Sequence, residues 1–253
     1  MHPILIELGR FKIYSYGFML ALSFFVGVVI AGRRAEGKGI SKEIVQDLSI
    51  ILIILAVVGS RTLYIVTHRD NYRSIIDIIA LWQGGATYYG GILLAIAGAV
   101  VYLRKKKIPF FRMADICSPS IALGIFFTRI GCFMSGCCFG RPTECPLGIT
   151  FPADSPAGQI FPGGAVHPTQ LYSSLYGIAI FVLLVLMERR RSYDGFVFSL
   201  FCIFYGAARF LVDFFRYYDS SAMLTQSMTV NQGISIAVAV LGAIMLAILS
   251  RRR

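Results

Sequence analysis

Three arginines set the chemical question. Arg61, Arg129 and Arg209 each lie inside a long apolar run. An arginine near the middle of a spanning helix costs roughly 2.5–3.5 kcal/mol on insertion scales unless it is paired, hydrated or close to an interface. Each can be read alone as a side chain snorkelling to the membrane surface. Taken together, three on separate runs at matching depth point to a shared anion site. Guanidinium groups hold phosphate oxygens through planar, paired hydrogen bonds, and a phospholipid headgroup at that depth would relieve their mutual repulsion.

Polar groups recur near the same end of the runs. Tyr14 and Tyr16, followed by Gly17, open the first run. Tyr205 and Arg209 are four apart, hence on one helical face, and Asp213 follows at the same interval as a partner for the arginine. Gly84-Gly85-Ala86-Thr87-Tyr88-Tyr89-Gly90-Gly91 places two tyrosines between glycine pairs, read either as an aromatic belt with close backbone approach or as a hydroxyl donor in a site. His167-Pro168-Thr169-Gln170-Leu171-Tyr172 starts another run, with proline suited to a first helical turn; His2 and His68 have no such setting. The segment from Arg129 to Thr143 carries Gly131, Gly136 and Gly140, with Arg129 and Arg141 near its ends. Such a segment can cradle a phosphate through backbone N–H groups and guanidinium charge.

Six cysteines are present, and Cys132, Cys137, Cys138 and Cys145 fall in or beside this segment. On the outer side of a membrane a disulfide through Cys145 is one expectation. Their spacing contains no CxxC pair and no histidine is near in sequence, so no metal site is expected, and a cysteine nucleophile would lack a local base. No phosphate-binding loop, zinc-protease or hydrolase-elbow motif occurs.

The elements that position these residues follow from composition. Of 253 residues 57% are hydrophobic and 15% charged, with a mean hydropathy of +0.71; a soluble domain carries about a quarter charged residues. The net charge of +11 does not indicate nucleic-acid binding, because the basic residues stand in short clusters between apolar runs and form no basic domain. Seven runs approach the roughly 20 residues needed to cross a bilayer: 13–32, 48–66, 88–103, 116–133, 170–186, 195–214 and 233–250. The expected fold is an all-α integral membrane protein of about seven spans. It forms a single domain over 1–253, with an external loop rich in glycine and cysteine at 132–169. The first run has its basic cluster after it, and so reads as a retained span rather than a cleaved signal.

Arg33, Arg34, Lys38 and Lys42, then Arg104 to Lys107 with Arg112, then Arg189 to Arg191, then Arg251 to Arg253 fall after spans one, three, five and seven. The opposite side holds the sparser set Arg10, Lys12, Arg69, Arg73, Arg141 and Arg216. Lysine and arginine mark the cytoplasmic side, which places the amino terminus outside and the carboxyl terminus inside. Spans two, four and six then run outward, and their arginines lie towards the outer leaflet. A small-anion transporter or channel is the alternative reading of such arginines. The inner halves of the spans are almost wholly apolar, which argues against a through-path.

These motifs, in this order, resemble the bacterial prolipoprotein diacylglyceryl transferases. The resemblance covers most of the chain: Tyr16-Gly17, Gly59-Ser60-Arg61-Thr62-Leu63-Tyr64, the Gly84–Gly91 segment, Arg129 to Thr143, His167 to Tyr172 and Tyr205 to Arg216. It implies transfer of the diacylglyceryl group of phosphatidylglycerol to the lipobox cysteine thiol of a preprolipoprotein, with release of glycerol 1-phosphate. It also implies no cofactor, and an inner-membrane location with the site facing the external leaflet. Arg129 and Arg209 would bind the headgroup and leaving phosphate, with Arg61 beside them. Tyr16 and Tyr205 would support the site, and Gly131, Gly140 and His167 would fall on motif positions. Two departures stand out. Cys132 and Ser135-Gly136-Cys137 replace an asparagine and an asparagine-glycine-glutamate triplet, and Tyr89 stands where a histidine, the candidate base for the thiol, is usual. A tyrosine, with an unperturbed pKa near 10, is a weak base at neutral pH.

Overall fold

In the computed structural model, residues 2–8, 11–68, 87–189, 193–218, 224–225 and 228–251 are described. The sequence features at Arg10, Arg69, Arg73, 82–86, Arg190, Arg191, Arg252 and Arg253 lie outside them. The molecule is mostly helical. Six described helices are long and apolar enough to cross a membrane: α1 (Ser15–Glu36), α2 (Lys42–Thr67), α4 (Phe110–Met134), α6 (Thr169–Glu188), α7 (Phe196–Asp213) and α8 (Val230–Arg251). Helix α3 (Tyr88–Lys105) occupies the third expected span but is not among those six. Short elements complete the order: β1 (Ile4–Leu8) and β2 (Phe11–Tyr14) at the amino end, with β3 (Ile149–Thr150), α5 (Pro156–Ile160) and β4 (Ala165–Val166) between α4 and α6.

The first span begins later than its hydropathy suggests. Ile13 and Tyr14 belong to β2, which pairs antiparallel with β1 and sets Glu7 opposite Lys12 in a 2.8 Å ion pair. The helix starts at Ser15, whose buried N–H donates to the Pro3 carbonyl at 2.9 Å.

The chain divides into two compact units, residues 32–113 and residues 1–31 with 114–253. In the first, α2 and α3 pack through glycine. A Cβ on Gly59 would lie 2.4 Å from the Gly90 carbonyl oxygen, and one on Gly90 would lie 2.3 Å from that of Gly59. Such contacts replace the hydrophobic drive that helices lack in lipid. The Tyr102 hydroxyl donates to Asp47 at 2.9 Å farther along the pair.

In the second unit α7 and α8 meet in the same manner at Gly206 and Gly242, where added methyl groups would come within 2.6 Å and 2.8 Å of the neighbouring helix. Asp115 of α4, 3% exposed, accepts from the N–H groups of Gly195 and Phe198, both at 2.7 Å. This carboxylate satisfies the orphan donors at the start of α7 and complements its dipole. Helix α8 opens with a reciprocal cap: Thr229 N–H donates to Gln232 Oε1, and Gln232 N–H to Thr229 Oγ1, each at 3.0 Å.

The segment between α4 and α6 is ordered around its own small core. Phe139, Phe151, Ala157 and Val166 are buried there, with Phe161 and Tyr217 packed against them. Strands β3 and β4 pair antiparallel, Ser155 caps α5 by accepting from Gly158 N–H at 3.1 Å, and Arg141 N–H donates to the Phe215 carbonyl at 2.8 Å. The loop is therefore stitched to the chain leaving α7.

Candidate active site

Arg209 is a buried, paired cation of the second unit. It is 7% exposed, and its Nη1 lies 3.1 Å from Oδ1 of the fully buried Asp213, one helical turn on. Its Nη2 donates to the Tyr218 hydroxyl at 2.6 Å. Tyr218 donates in turn to Asp213 Oδ1, and the Thr229 hydroxyl donates to Asp213 Oδ2. Removing one member of a buried ion pair costs about 3–5 kcal/mol, because it strands the other charge. Burial raises the Tyr218 phenol above its usual range, against the opposing charges of Arg216 and Arg209, so it is a neutral donor at physiological pH.

Four helices contribute to one neighbourhood around Arg129. Tyr176 of α6 lies within electrostatic reach of both Arg129 and Arg209. Its ring meets that of Tyr205 of α7 at 6.3 Å, and Tyr205 stacks on Phe201 at 5.6 Å. Tyr16 of α1 is within reach of Arg129. Gly131 makes this possible: a Cβ there would stand 3.2 Å from Tyr16 Cα and 3.0 Å from Met19 Cβ. The buried Tyr176 hydroxyl has the Ser173 side chain, three residues back on α6, beside it. A phenol within electrostatic reach of two guanidinium groups suits a phosphate oxygen. Beside it, an apolar groove of about 450 Å³ runs between α6 and α7, lined by Tyr172, Leu175, Tyr176, Ala179, Ala208, Leu211 and Val212.

Of the residues singled out by sequence, Arg129, Arg209 and Tyr205 are thus linked through Tyr176, and Tyr16 joins them through Arg129. Gly140 and His167 form a neighbouring pair in the loop. Gly140 N–H donates to the His167 carbonyl at 2.9 Å, and a Cβ on Gly140 would meet His167 Cβ at 2.6 Å. The imidazole Nδ1 is 3.3 Å from the Tyr172 hydroxyl, and the ring packs edge-on to Phe215 at 5.1 Å. Arg61, buried on α2, and Tyr89, 52% exposed on α3, belong to the other unit. Tyr176, Tyr218 and Thr229 were not anticipated. The available signal for Tyr176 was its position four residues after Tyr172, on the same helical face.

The cysteines also differ from expectation. No disulfide joins the six, and Cys145 is an exposed thiol. Instead the Sγ atoms of Cys132, Cys137 and Cys138 lie within 4.8 Å of one another. Thiol hydrogen bonds from Cys132 and Cys137, aided by the charges of Arg216 and Arg129, hold Cys138 well below the ordinary thiol range despite burial. The same network and burial hold Cys137 above it.

The molecule is thus a multi-pass helical membrane protein in which the buried guanidinium of Arg209, the half-buried one of Arg129 and tyrosine hydroxyls adjoin an apolar groove. A family model described as prolipoprotein diacylglyceryl transferase matches residues 3–248. Relatives named phosphatidylglycerol–prolipoprotein diacylglyceryl transferase are similar over most of their lengths. That of Clostridium tetani is 36% identical over 85% of this chain and 86% of its own. That of Geobacter sulfurreducens is 35% identical over 99% and 96%, and that of Finegoldia magna 34% identical over 97% and 94%. The chain belongs to the prolipoprotein diacylglyceryl transferase family, and it is a transferase.

Proposed function

We infer that this protein transfers the diacylglyceryl group of phosphatidylglycerol to the lipobox cysteine thiol of a preprolipoprotein, in a bacterial inner membrane. The thiol sulfur forms a thioether with the glyceryl carbon while the bond from that carbon to the phosphate oxygen breaks, and glycerol 1-phosphate leaves. Negative charge grows on the leaving phosphate, and preorganised cations lower the barrier most when they are aimed at developing charge. The observation that carries the reading is the fixed Arg209, held by Asp213 and Tyr218, in a chain that matches the family model almost throughout. Arg129 is assigned to the same phosphate, with Tyr16 and Tyr205 as supports and the groove between α6 and α7 as a path for an acyl chain.

The finer assignments are part of the same proposal. The chain makes seven spans, α3 included, as one polytopic domain with the amino terminus outside. The site faces the external leaflet, and the 132–169 loop is external. Arg61 binds headgroup, His167, Gly131 and Gly140 shape the site, and Tyr89 acts in thiol proton transfer. The test is incubation of the protein in phosphatidylglycerol vesicles with labelled lipid and a lipobox peptide, followed by mass analysis of the peptide. The Arg209→Ala protein is expected to lose about 10²–10³-fold in turnover, the scale of removing one transition-state donor. Ordinary lipidation by that variant would overturn the arginine role. Unchanged turnover by Tyr89→Phe would remove that hydroxyl from the mechanism.

A further inference from the structure

The thiol cluster has no duty in the chemistry above, yet its turn is built with care. Cys138 takes a left-handed backbone, φ +62°, two residues after Gly136 at φ +67°. For a residue with a Cβ this conformation carries a strain of order 1–3 kcal/mol and persists only where surrounding contacts over-determine it. Those contacts are present. Cys137 N–H donates to the Cys132 carbonyl at 3.1 Å. Gln170 Nε2 donates to the Cys137 carbonyl at 2.7 Å, and Thr169 Oγ1 to the Cys138 carbonyl at 2.9 Å. Both Gln170 and Thr169 are 1% exposed. The turn bends the chain back so that thiols at the end of α4 and just beyond it converge.

Three sulfurs within 4.8 Å of one another are close to the spacing a zinc ion needs. Zn–S bonds of about 2.3 Å in a tetrahedron put sulfurs roughly 3.8 Å apart, about 1 Å inside the present limit. Thiolate ligands select soft or borderline cations. Three thiolates around a divalent ion leave one net negative charge, in a segment that Arg129 and Arg141 flank in sequence. Among the described residues no fourth histidine, cysteine or carboxylate joins the group. Structural zinc sites use four protein ligands, whereas catalytic ones use three and leave a position open. Cys137 and Cys138 are partly exposed, which leaves that position reachable.

We propose that Cys132, Cys137 and Cys138 bind a thiophilic divalent cation, zinc by preference, as three thiolates, with the open fourth position taken by the acceptor cysteine thiol. The second half rests on the transferase reading. On coordination the acceptor S–H gives its proton to water, in place of a transfer involving Tyr89, since only the thiolate is a ligand. The metal-held sulfur then forms the C–S bond as the C–O bond to phosphate breaks, and the electron pair of that bond departs with glycerol phosphate.

The full-length protein, reduced, stripped of metal by a chelator and held in lipid nanodiscs, is titrated with Co²⁺. One equivalent is expected to bind with thiolate-to-cobalt charge-transfer absorption and intense tetrahedral visible bands. These bands are lost in Cys132→Ser and Cys137→Ser and kept in Cys145→Ser and Cys202→Ser. Addition of a lipobox peptide shifts the visible bands, and its serine counterpart does not. No cobalt bands in the unaltered protein, or full bands in Cys137→Ser, would overturn the site. Because a serine can loosen the turn, zinc content of the unaltered protein purified without chelator is measured as well. One equivalent is expected, and none, with a disulfide among the three cysteines by mass mapping, overturns the site. Bands indifferent to the thiol peptide, or lipid transfer unchanged by chelation and zinc return, overturn the thiol-activating role. Absence of transfer under every condition counts against the transferase reading and leaves the cobalt result standing.

Discussion

Arg209 is useful because its surroundings remove its freedom. The guanidinium fork is planar and already paired on one side, so an arriving phosphate meets a fixed set of donors rather than a flexible charge. Arg209→Lys keeps the charge and loses the fork, and is expected to cut turnover by about 10²-fold, measured with the vesicle and peptide assay. Tyr218→Phe leaves Arg209 and Asp213 in place but removes the hydroxyl that links them. Turnover should fall less than for the lysine variant. Tyr218 also marks a pH limit. Its folded pKa is raised, so its contribution to stability is complete below the ordinary phenol value near 10 and is lost as pH rises through the folded value. Thermal unfolding across the alkaline range should show a decline that Tyr218→Phe flattens. At this scale the sequence displayed the charges and one of their partners. Arg209 and Asp213 share a helical face and were legible as a pair. Tyr218 and Thr229 reach them from beyond the end of α7, where helical periodicity says nothing. The cysteine cluster was hidden for a related reason: its geometry depends on a left-handed residue that spacing does not reveal.

At the scale of elements, most of the pattern was written in hydropathy. Each expected run overlaps a helix, and six of the described helices are long and apolar enough to cross a membrane, because a long apolar run in lipid must satisfy its backbone internally. The departures occur where side chains override hydropathy. Ile13 and Tyr14 look like helix and pair as strand because Pro3 and Ser15 close the hairpin. The loop after α4 builds a small aromatic core around Phe139 and Phe151 that no periodic signal announces. Glycines supply a sharp contrast for testing. Gly90→Leu would drive a Cβ to 2.3 Å from the Gly59 carbonyl oxygen and should separate α2 from α3. A loss of thermal stability of about 2 kcal/mol or more is expected, in the range of severe overpacking. Gly17 has nothing within 4 Å of an added Cβ, so Gly17→Ala should unfold at the same temperature as the unaltered protein or a higher one.

For the whole molecule, the charge asymmetry between loops is the strongest organising signal. It makes a testable statement about sidedness. A cysteine placed at Gly163, in the loop between α5 and β4, should react with an impermeant maleimide on intact cells, read by mass mapping. One placed at Lys38, after α1, should react only when the membrane is opened. The reverse pattern would invert the proposed orientation and remove the lipid site from the external leaflet.

The contact between Thr229 and Asp213 has a consequence for biogenesis. Translation delivers α7 before residue 229 exists, so the arginine–aspartate pair enters the bilayer without the hydroxyl that later steadies its carboxylate. The arrival of α8 supplies that group through the same threonine that starts its own helix. A nascent chain halted after α7 therefore carries the charges of the site in an unfinished setting, and competence waits on the arrival of α8.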